Sequence, residues 1–468
     1  MTIRIYNSFT KTKEELVPLD GKTIRMYSCG VTVYDQCHIG HARSLYIFDV
    51  IRRYLKFRGY DVRFVRNITD IDDKIIARAR ELNKTSDEVS TANIASYYED
   101  MERLGIDPAD VEPRATGNIP EMIRHIEGLI ASGHAYPADG DVYFKVRSFP
   151  DYGKLSGQSI EKMLEAVRIE KGEKKADPLD FALWKKSREG EPFWDSPWGR
   201  GRPGWHIECS CMSMKHLKCE TLDIHAGGRD LIFPHHENEI AQSEALTSKP
   251  FAKYWIHHGL LTINGQKMSK SLGNFITVTD AVKKYPVDDL KLFFLSSLYA
   301  SPIDFSDEKM IEAHKAMERF DILFWKAAAI VEKHPASGAV EAEFVKRHKD
   351  KFLAAMDDDF NTPEALAALF NLVSDINKFI EGGEAQADYG NIVHTAVDTV
   401  EHLAGAIFGL FRREPDLTLS AEDEALLEER KQARKNKDFK KSDQLRDALK
   451  AKGVVVEDTK DGQTWRFA

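Results

Sequence analysis

Cysteine is scarce in this chain: five occur in 468 residues, at Cys29, Cys37, Cys209, Cys211 and Cys219. An odd, widely spaced set argues against a disulfide framework and for a reducing compartment. Most such cysteines act as small buried apolar side chains, and some can ligate metal. Long apolar runs are also missing. None can cross a bilayer, and Met1 to Asn7 carry no signal-peptide apolar region, so the expected compartment is the cytoplasm. Positive charge is not in excess. With 66 Lys+Arg against 75 Asp+Glu, the formal net charge is −9, which excludes non-specific coating of nucleic acid but leaves room for a local basic patch. There is no internal repeat and no low-complexity tract. What remains, 42% hydrophobic and 30% charged residues, is the composition of an ordinary soluble enzyme. The length exceeds one core, so two to four domains are expected.

Ile24 to Tyr27 predicts a strand and Val62 to Val65 a second. Between them, Gly40 to about Lys56 predicts an amphipathic helix with Leu45, Phe48, Ile51 and Leu55 on its buried face. Asp72 and Asp73 open a further helix through Ile75 and Ile76. This alternation predicts a parallel α/β sheet. Leu222 to His225 reads as a later strand of the same sheet, ending at Gly227 and Gly228, with Pro234 as first residue of the next helix. The stretch from about Pro113 to Gly201 breaks the pattern with Pro137, Pro150, Pro178, Pro192 and Pro197 and short strands such as Asp141 to Phe144. It reads as an insertion between the halves of the sheet. After Asp307, helices are predicted at 310–332, 344–356, 364–380 and 392–411, a bundle. Thr362 is expected to cap the third, with Pro363 in its first turn. A charged segment from near Ser420 predicts two helices and a final pair of strands, 454–456 and 464–467.

Two short strings carry chemistry. His38-Ile39-Gly40-His41 lies between a strand and a helix, where free backbone N–H groups and a positive dipole end suit phosphate. Gly40 permits close approach of a ligand, and the imidazole N–H groups of His38 and His41 can bond phosphoryl oxygens as charge builds. Lys267-Met268-Ser269-Lys270-Ser271 follows a turn at Asn264-Gly265-Gln266. Its two ammonium groups on a short polar loop can close over ATP and neutralise departing pyrophosphate. Each string alone is a weak signal; together, in this order, they point to ATP-dependent activation of a carboxylic acid.

A third set suits a metal. Cys29 follows the first strand, Cys209 lies in Gly204-Trp205-His206-Ile207-Glu208-Cys209-Ser210, and His235 and Glu239 are four apart on one helix face. Two thiolates, an imidazole and a carboxylate suit zinc better than magnesium or calcium. Spacing leaves Cys211, His225 and His236 as rival ligands. Trp205 shares a helix face with Cys209 and can wall a pocket, and His225 precedes the glycine turn and can point into the same site.

The two strings in this order, with an insertion between the halves, resemble the class I aminoacyl-tRNA synthetases. More narrowly, Tyr27 to Asp35, Arg66 to Lys74, Gly204 to Ser210 and Phe233 to Glu239 resemble cysteinyl-tRNA synthetases of the bacterial type, and the resemblance runs the length of the chain. It implies a Rossmann-type parallel-sheet catalytic domain with an inserted α+β connective domain, then a helical bundle and a small mixed α/β C-terminal domain. The implied boundaries are 1–112 for the first catalytic half, 113–201 for the insertion, and 202–250 for the second half. A linker domain with the lysine loop follows at 251–307, a tRNA-contacting bundle at 308–415 and an anticodon-binding domain at 416–468. The implied reaction joins L-cysteine and ATP into cysteinyl-adenylate and pyrophosphate, then moves cysteine to the 3′-terminal ribose of tRNA(Cys). The implied cofactors are one Zn2+ per chain, held by Cys29, Cys209, His235 and Glu239 and binding the substrate thiolate, and Mg2+ with ATP. His38, His41, Lys267 and Lys270 match the catalytic residues, with Gly40 and Ser269 also at ATP. Trp205, His225 and Thr32 match the cysteine pocket. A monomer with no membrane partner is expected.

Cysteine must be told from serine, which differs by one atom, and an apolar pocket discriminates so small a change by only about 1–3 kcal/mol. A metal that binds thiolate better than hydroxyl supplies the difference at binding. The insertion is therefore not expected to be an editing module. In the C-terminal segment, Lys431, Arg434, Lys435, Lys437, Lys440, Lys441, Arg446 and Lys450 form a basic stretch suited to phosphates, and Trp465 and Arg466 are expected to meet an unpaired anticodon base. The alternative reading is an ATP-dependent ligase joining cysteine to an amino sugar, which would not need that segment. A nucleotidyltransferase lacking zinc and a catalytically dead RNA-binding relative fit less well, because both strings and the metal set are intact.

Overall fold

The computed structural model describes residues 2–166, 174–269, 272–383, 388–411, 421–452, 454–459 and 462–467. The chain opens with an antiparallel hairpin, β1 (Arg4–Asn7) and β2 (Thr12–Glu15). Then β3 (Thr23–Thr32), helix α1 (Ile39–Phe57) and β4 (Asp61–Thr69) make a parallel strand–helix–strand unit. The pattern dictates it: Ile24 and Met26 of β3, Phe48 and Ile51 of α1 and Phe64 of β4 are all buried. Each such side chain contributes roughly 1.5–3 kcal/mol. Helix α2 (Asp73–Leu82) is capped by Asp72, whose carboxylate accepts the N–H of Lys74, and α3 (Ser86–Arg103) follows.

The insertion has its own layers. Helix α4 (Ile119–Ala131) precedes β5 (Ala135–Ala138) and β6 (Asp141–Phe144); after the short α5 (Ile160–Ala166) come β7 (Phe181–Lys186) and β8 (Gly201–Pro203). The four strands form an antiparallel sheet in the order β5-β6-β7-β8. The chain returns through α6 (Trp205–Leu217), β9 (Leu222–Gly228), α7 (Glu237–Thr247) and β10 (Ala252–His258). Phe144, Trp184 and Leu183 of the insertion share one core with Ile207 and Met212 of α6 and Trp255 of β10.

The central sheet is parallel with strand order β10-β9-β3-β4. The first half of the chain builds outward from β3 on one side and the second half on the other. The order therefore reverses between β3 and β9, and in open parallel sheets the crevice at the carboxyl ends of such strands is where ligands bind. Cys29 and Thr32 lie at that end of β3, and His225, Gly227 and Gly228 at that end of β9.

Two expectations about helix starts need correction. Regular helix α7 begins at Glu237, not Pro234. The residue before a proline is pushed out of helical geometry, Phe233 is extended (φ −138°, ψ 132°), and a wide turn over Ile232–His236 carries the histidines instead. Thr362 is not a cap: its hydroxyl donates to the Leu295 carbonyl at 2.8 Å, while Asn361 Oδ1 accepts the Glu364 N–H at 3.2 Å and does the capping.

Beyond β10, the hairpin β11 (Leu261–Ile263) and β12 (Gln266–Lys267) turns at Asn264 and Gly265, both at positive φ. Helices α8 (Val278–Lys284) and α9 (Val287–Leu295) lead to β13 (Ile303–Phe305), which pairs in parallel with β11. Then come α10 (Asp307–Lys333), α11 (Glu343–Asp357), α12 (Thr362–Glu381), α13 (Tyr389–His402), α14 (Ala421–Lys435), α15 (Phe439–Ala451) and the antiparallel β14 (Val454–Thr459) and β15 (Gly462–Phe467). Contacts divide the chain into two compact units. One comprises Met1–Ala313, Lys349–Ala368 and Ala406–Gly409; the other comprises His314–His348, Leu369–Gly405 and Leu410–Ala468. Among the described residues, no helix is long and apolar enough to cross a membrane.

Candidate metal centre and nucleotide site

Cys29, Cys209, His235 and Glu239 come together: one ligand atom from each lies within 4.8 Å of the others, with Cys209, His235 and Glu239 buried and Cys29 partly buried. They arrive from β3, α6, the turn before α7, and α7 itself. Cys29 Sγ is 3.8 Å from Cys209 Sγ and 3.6 Å from Glu239 Oε1, which is 2.9 Å from His235 Nε2. Of the rivals, Cys211 turns to the far side of α6, toward the carbonyl of Glu121 at 3.8 Å. His225 and His236 do enter the cluster, and with Cys29 and Glu239 form a second overlapping group. His225 Nε2 lies 2.8 Å from Glu239 Oε2, and His236 Nε2 lies 3.4 Å from Cys29 Sγ.

Electrostatics favour positive charge at this spot. Burial alone would raise the Glu239 carboxyl, but His225 and His235 beside it hold it at about 2. Burial likewise opposes ionisation of Cys209, yet the bond from Cys29 and the neighbouring His235 bring it down to about 6. Burial would lower His235, and Glu239 and Cys209 raise it to about 10. A buried carboxylate and thiolate gathered round one cation form a donor set that fits a divalent metal of zinc's softness. His225 Nδ1 and His257 Nδ1 are buried here with no hydrogen-bond partner among the described residues.

Around the four residues sits a shell the sequence did not announce. His206 Nδ1 is 2.9 Å from His235 Nδ1, and His257 Nε2 is 2.8 Å from His236 Nδ1. Trp255 stacks on His225 with ring centroids 4.5 Å apart. His257 and Trp255 are delivered by the pairing of β10 with β9, where His257 stands opposite Gly227. No spacing rule could find them. Trp205 is 37% exposed, with its ring centroid 4.2 Å from that of His235, so it is not a core side chain. Thr32 stands opposite Thr69 at the end of β3.

The two short strings also lie near one another. His38 Nδ1 accepts the N–H groups of Gly40 (3.1 Å) and His41 (3.3 Å), and His41 Nδ1 accepts the N–H of His38 (3.3 Å). The free backbone donors expected at this helix start are thus partly occupied by the histidines themselves. The consequence is chemical. With both Nδ1 atoms accepting, each neutral ring carries its proton on Nε2 and keeps that N–H to offer. Burial lowers His38 to about 4, and burial with His38 and Lys74 nearby lowers His41 to about 3. The rings stack with centroids 3.7 Å apart.

The chain just after the lysine string is bonded to this helix start: Ile39 N–H donates to the Ile276 carbonyl at 3.1 Å and Val278 N–H to the Cys37 carbonyl at 2.9 Å. A Cβ added to Gly40 would lie 2.9 Å from the His38 ring and 3.4 Å from Met268 Cε, so Met268 lies close beside Gly40. Buried Arg43 donates to the carbonyls of Gly259 (2.7 Å) and Ser301 (2.7 Å), fixing α1 to the base of the β11–β12 hairpin. Lys267 is exposed at the end of β12, and the Ser269 N–H donates to Asn274 Oδ1 at 2.8 Å. Lys270 and Ser271 lie outside the described residues.

Burial also lowers His125 and His258 to about 4. These two, with His38 and His41, are neutral when folded and take up protons when unfolded. Their contribution is present above pH 6.5 and lost as pH falls toward 4. We expect the denaturant midpoint of unfolding to drop steadily over that interval; a flat profile would contradict these assignments.

In the C-terminal part, Leu427, Leu449, Val454 and Val456 form a small core. Trp465 packs against that core, so at least one face serves folding, whereas the Arg466 side chain lies outside the described residues. Lys431, Arg434, Lys441 and Arg446 pair with Glu428, Asp458, Glu429 and Asp443. Phe439, at the start of α15, is 60% exposed beside Lys437, Lys440 and Lys441; sequence reading passed over it.

The catalytic-domain family of class I (C) tRNA synthetases matches residues 15–315, the DALR domain family residues 351–412, and the cysteinyl-tRNA ligase anticodon-binding domain family residues 416–466. The chain is 49% identical to the cysteine--tRNA ligases of Sulfurihydrogenibium sp. (strain YO3AOP1) and Geobacter sulfurreducens, with 100% of both chains covered in each case. Among solved structures, Mycobacterium tuberculosis methionyl-tRNA synthetase in complex with methionyl-adenylate aligns with a TM-score of 0.65. That alignment covers 83% of this chain and 92% of that one at 16% identity, a likeness of fold. A parallel sheet with Cys29 and His225 at its switch point, and full-length identity to these ligases, lead to one assignment: the chain belongs to the cysteine--tRNA ligase family of class I aminoacyl-tRNA synthetases.

Proposed function

We propose that the chain activates L-cysteine with ATP to cysteinyl-adenylate and pyrophosphate, then transfers cysteine to the 3′-terminal ribose of tRNA(Cys). The observation that carries the reading is the buried meeting of Cys29, Cys209, His235 and Glu239 on the same sheet edge as His38 and His41. Those four residues would hold zinc, which would supply a soft Lewis acid with a preference for thiolate over hydroxyl, and so for cysteine over serine. Trp205 and Thr32 wall the pocket, and His225 orients the Glu239 carboxylate through its 2.8 Å contact.

The remaining work is positioning and electrostatics. The cysteine carboxylate attacks the α-phosphate of Mg2+-bound ATP in line. Nε2–H groups of His38 and His41 bond the phosphoryl oxygens as charge builds, a role in which one donor is worth about 2.7–4 kcal/mol. Gly40 leaves room for the nucleotide. Lys267, Ser269 and Lys270 bond and neutralise the departing pyrophosphate. No protein nucleophile is required. The ring pair acts as a neutral donor across pH 5–8, because neither titrates there.

We assign residues 308–415 and 416–468 to tRNA binding, the latter to the anticodon, and read the 113–201 insertion as connective rather than editing. The protein is read as a cytoplasmic monomer. Removing residues 416–468 should leave cysteine-dependent ATP–pyrophosphate exchange within about twofold while lowering kcat/KM for tRNA aminoacylation by at least about 100-fold, about 2.7 kcal/mol. Equal loss of both activities would count against this division. An amino-sugar ligase is the second reading, and the match of residues 416–466 to an anticodon-binding family favours the tRNA enzyme.

A further inference from the structure

The four candidate ligands come from separate elements, so something must register β3 against α6 to within the tolerance of a metal site. The strand ladder does not do it. Pairing of β3 with β4 is regular through Ser28 opposite Arg66 and resumes at Val31 opposite Ile68; Cys29 and Gly30 lie in the irregular step between. There the Gly30 N–H donates to the side chain of Asn67, at Oδ1, 2.9 Å away. The backbone of Asn67 also presses on this step: a Cβ on Gly30 would fall 1.7 Å from the Asn67 carbonyl oxygen, so only glycine fits.

The same amide oxygen packs against the second sulfur: Cys209 Sγ lies 3.8 Å from Asn67 Oδ1. With Cys209 ionised neither atom can donate, so the bonded link to α6 runs through the other end of the amide. On its other side, Asn67 Nδ2 donates to Thr69 Oγ1 at 3.2 Å, and that hydroxyl donates to Glu208 Oε2 at 2.8 Å. Glu208 is the residue before Cys209 on α6. Asn67 is 2% exposed, and Thr69 and Glu208 are equally buried. A buried, continuous polar chain of this kind is costly to interrupt, since each broken link strands a desolvated partner.

We propose that Asn67 is a positioning residue of the metal centre: one buried amide sets the Cys29 step and the Cys209 helix in register, and so presets the spacing of the two thiols. The proposal rests on the zinc reading above. Partners that orient metal ligands typically change metal affinity by 10–100-fold when removed. An asparagine serving only strand stability would instead lower the melting temperature and leave metal affinity alone.

The test is zinc transfer from the full-length protein to a chromophoric chelator, with zinc content measured beforehand, in wild type, Asn67→Ala and Thr69→Val. Asn67→Ala should release zinc 10–100-fold faster, with KM for cysteine raised and KM for ATP unchanged within twofold. Thr69→Val keeps the side-chain shape, removes the hydroxyl that joins Asn67 Nδ2 to Glu208, and leaves the Gly30–Asn67 bond in place; it should release zinc several-fold faster, and it decides the matter if Asn67→Ala does not fold. Zinc held by the folded variants at the wild-type rate would overturn the inference alone. Absence of zinc from the wild-type protein would remove the metal reading and this inference with it.

Discussion

Cys209→Ser should abolish cysteine-dependent ATP–pyrophosphate exchange, lowering kcat/KM for cysteine by about 10³-fold or more, about 4 kcal/mol. The side chain is fully buried, 3.8 Å from Cys29 Sγ, and ionises readily in its surroundings, at about 6. A serine hydroxyl of similar size stays protonated there. The site would keep Glu239 and His235 but lose one of the two soft donors that suit zinc. Zinc content should fall well below one per chain. Substrate-independent binding of ATP should survive, because the histidine pair sits on α1 and draws nothing from α6. Retention of near wild-type exchange by a zinc-free Cys209→Ser protein would contradict the account at its centre.

The second large effect is expected at His38, where two roles can be separated. Its Nδ1 caps α1, which leaves its Nε2–H as a donor. Asparagine is a strong capping residue but cannot replace that donor. His38→Asn should therefore fold with stability within about 1 kcal/mol of wild type and lose 10²–10³-fold in kcat, the cost of one preorganised donor. His38→Ala should lose both cap and donor. His41→Ala should lower kcat by a similar factor, and neither change should raise KM for cysteine. Exchange measured at saturating ATP and cysteine checks this; a His38→Asn enzyme within threefold of wild-type kcat would assign the histidine to the cap alone.

Much of the fold was readable from sequence because local patterns and tertiary burial agree. The apolar spacing of α1 and the alternation of β3, α1 and β4 left one architecture, and the parallel sheet follows it. Departures arise where a distant partner outbids a local rule. Thr362 looks like a cap until the Leu295 carbonyl claims its hydroxyl. Pro234 looks like a helix start until the extended Phe233 before it imposes a wide turn.

The candidate site divides in the same way. His235 and Glu239 are four apart in sequence and meet although the wide turn puts His235 just outside regular α7. Cys29 and Cys209, 180 residues apart, are joined only by the fold; their residue types make them candidates beside Cys211, and the family resemblance singles them out. His206, Trp255, His257 and Asn67 carry no sequence signal for their places around it. Each is delivered by a strand register or a helix rotation that exists only after the sheet has formed.

The most direct test of the central claim is ATP–pyrophosphate exchange with cysteine or serine as the amino acid, measured on the zinc-loaded protein, after zinc removal and after zinc is restored. The account predicts exchange with cysteine and negligible exchange with serine. Removal of zinc should abolish the cysteine reaction and its restoration should recover it. Cysteine-dependent exchange that persists undiminished without metal, or serine activated as readily as cysteine by the loaded protein, would contradict it.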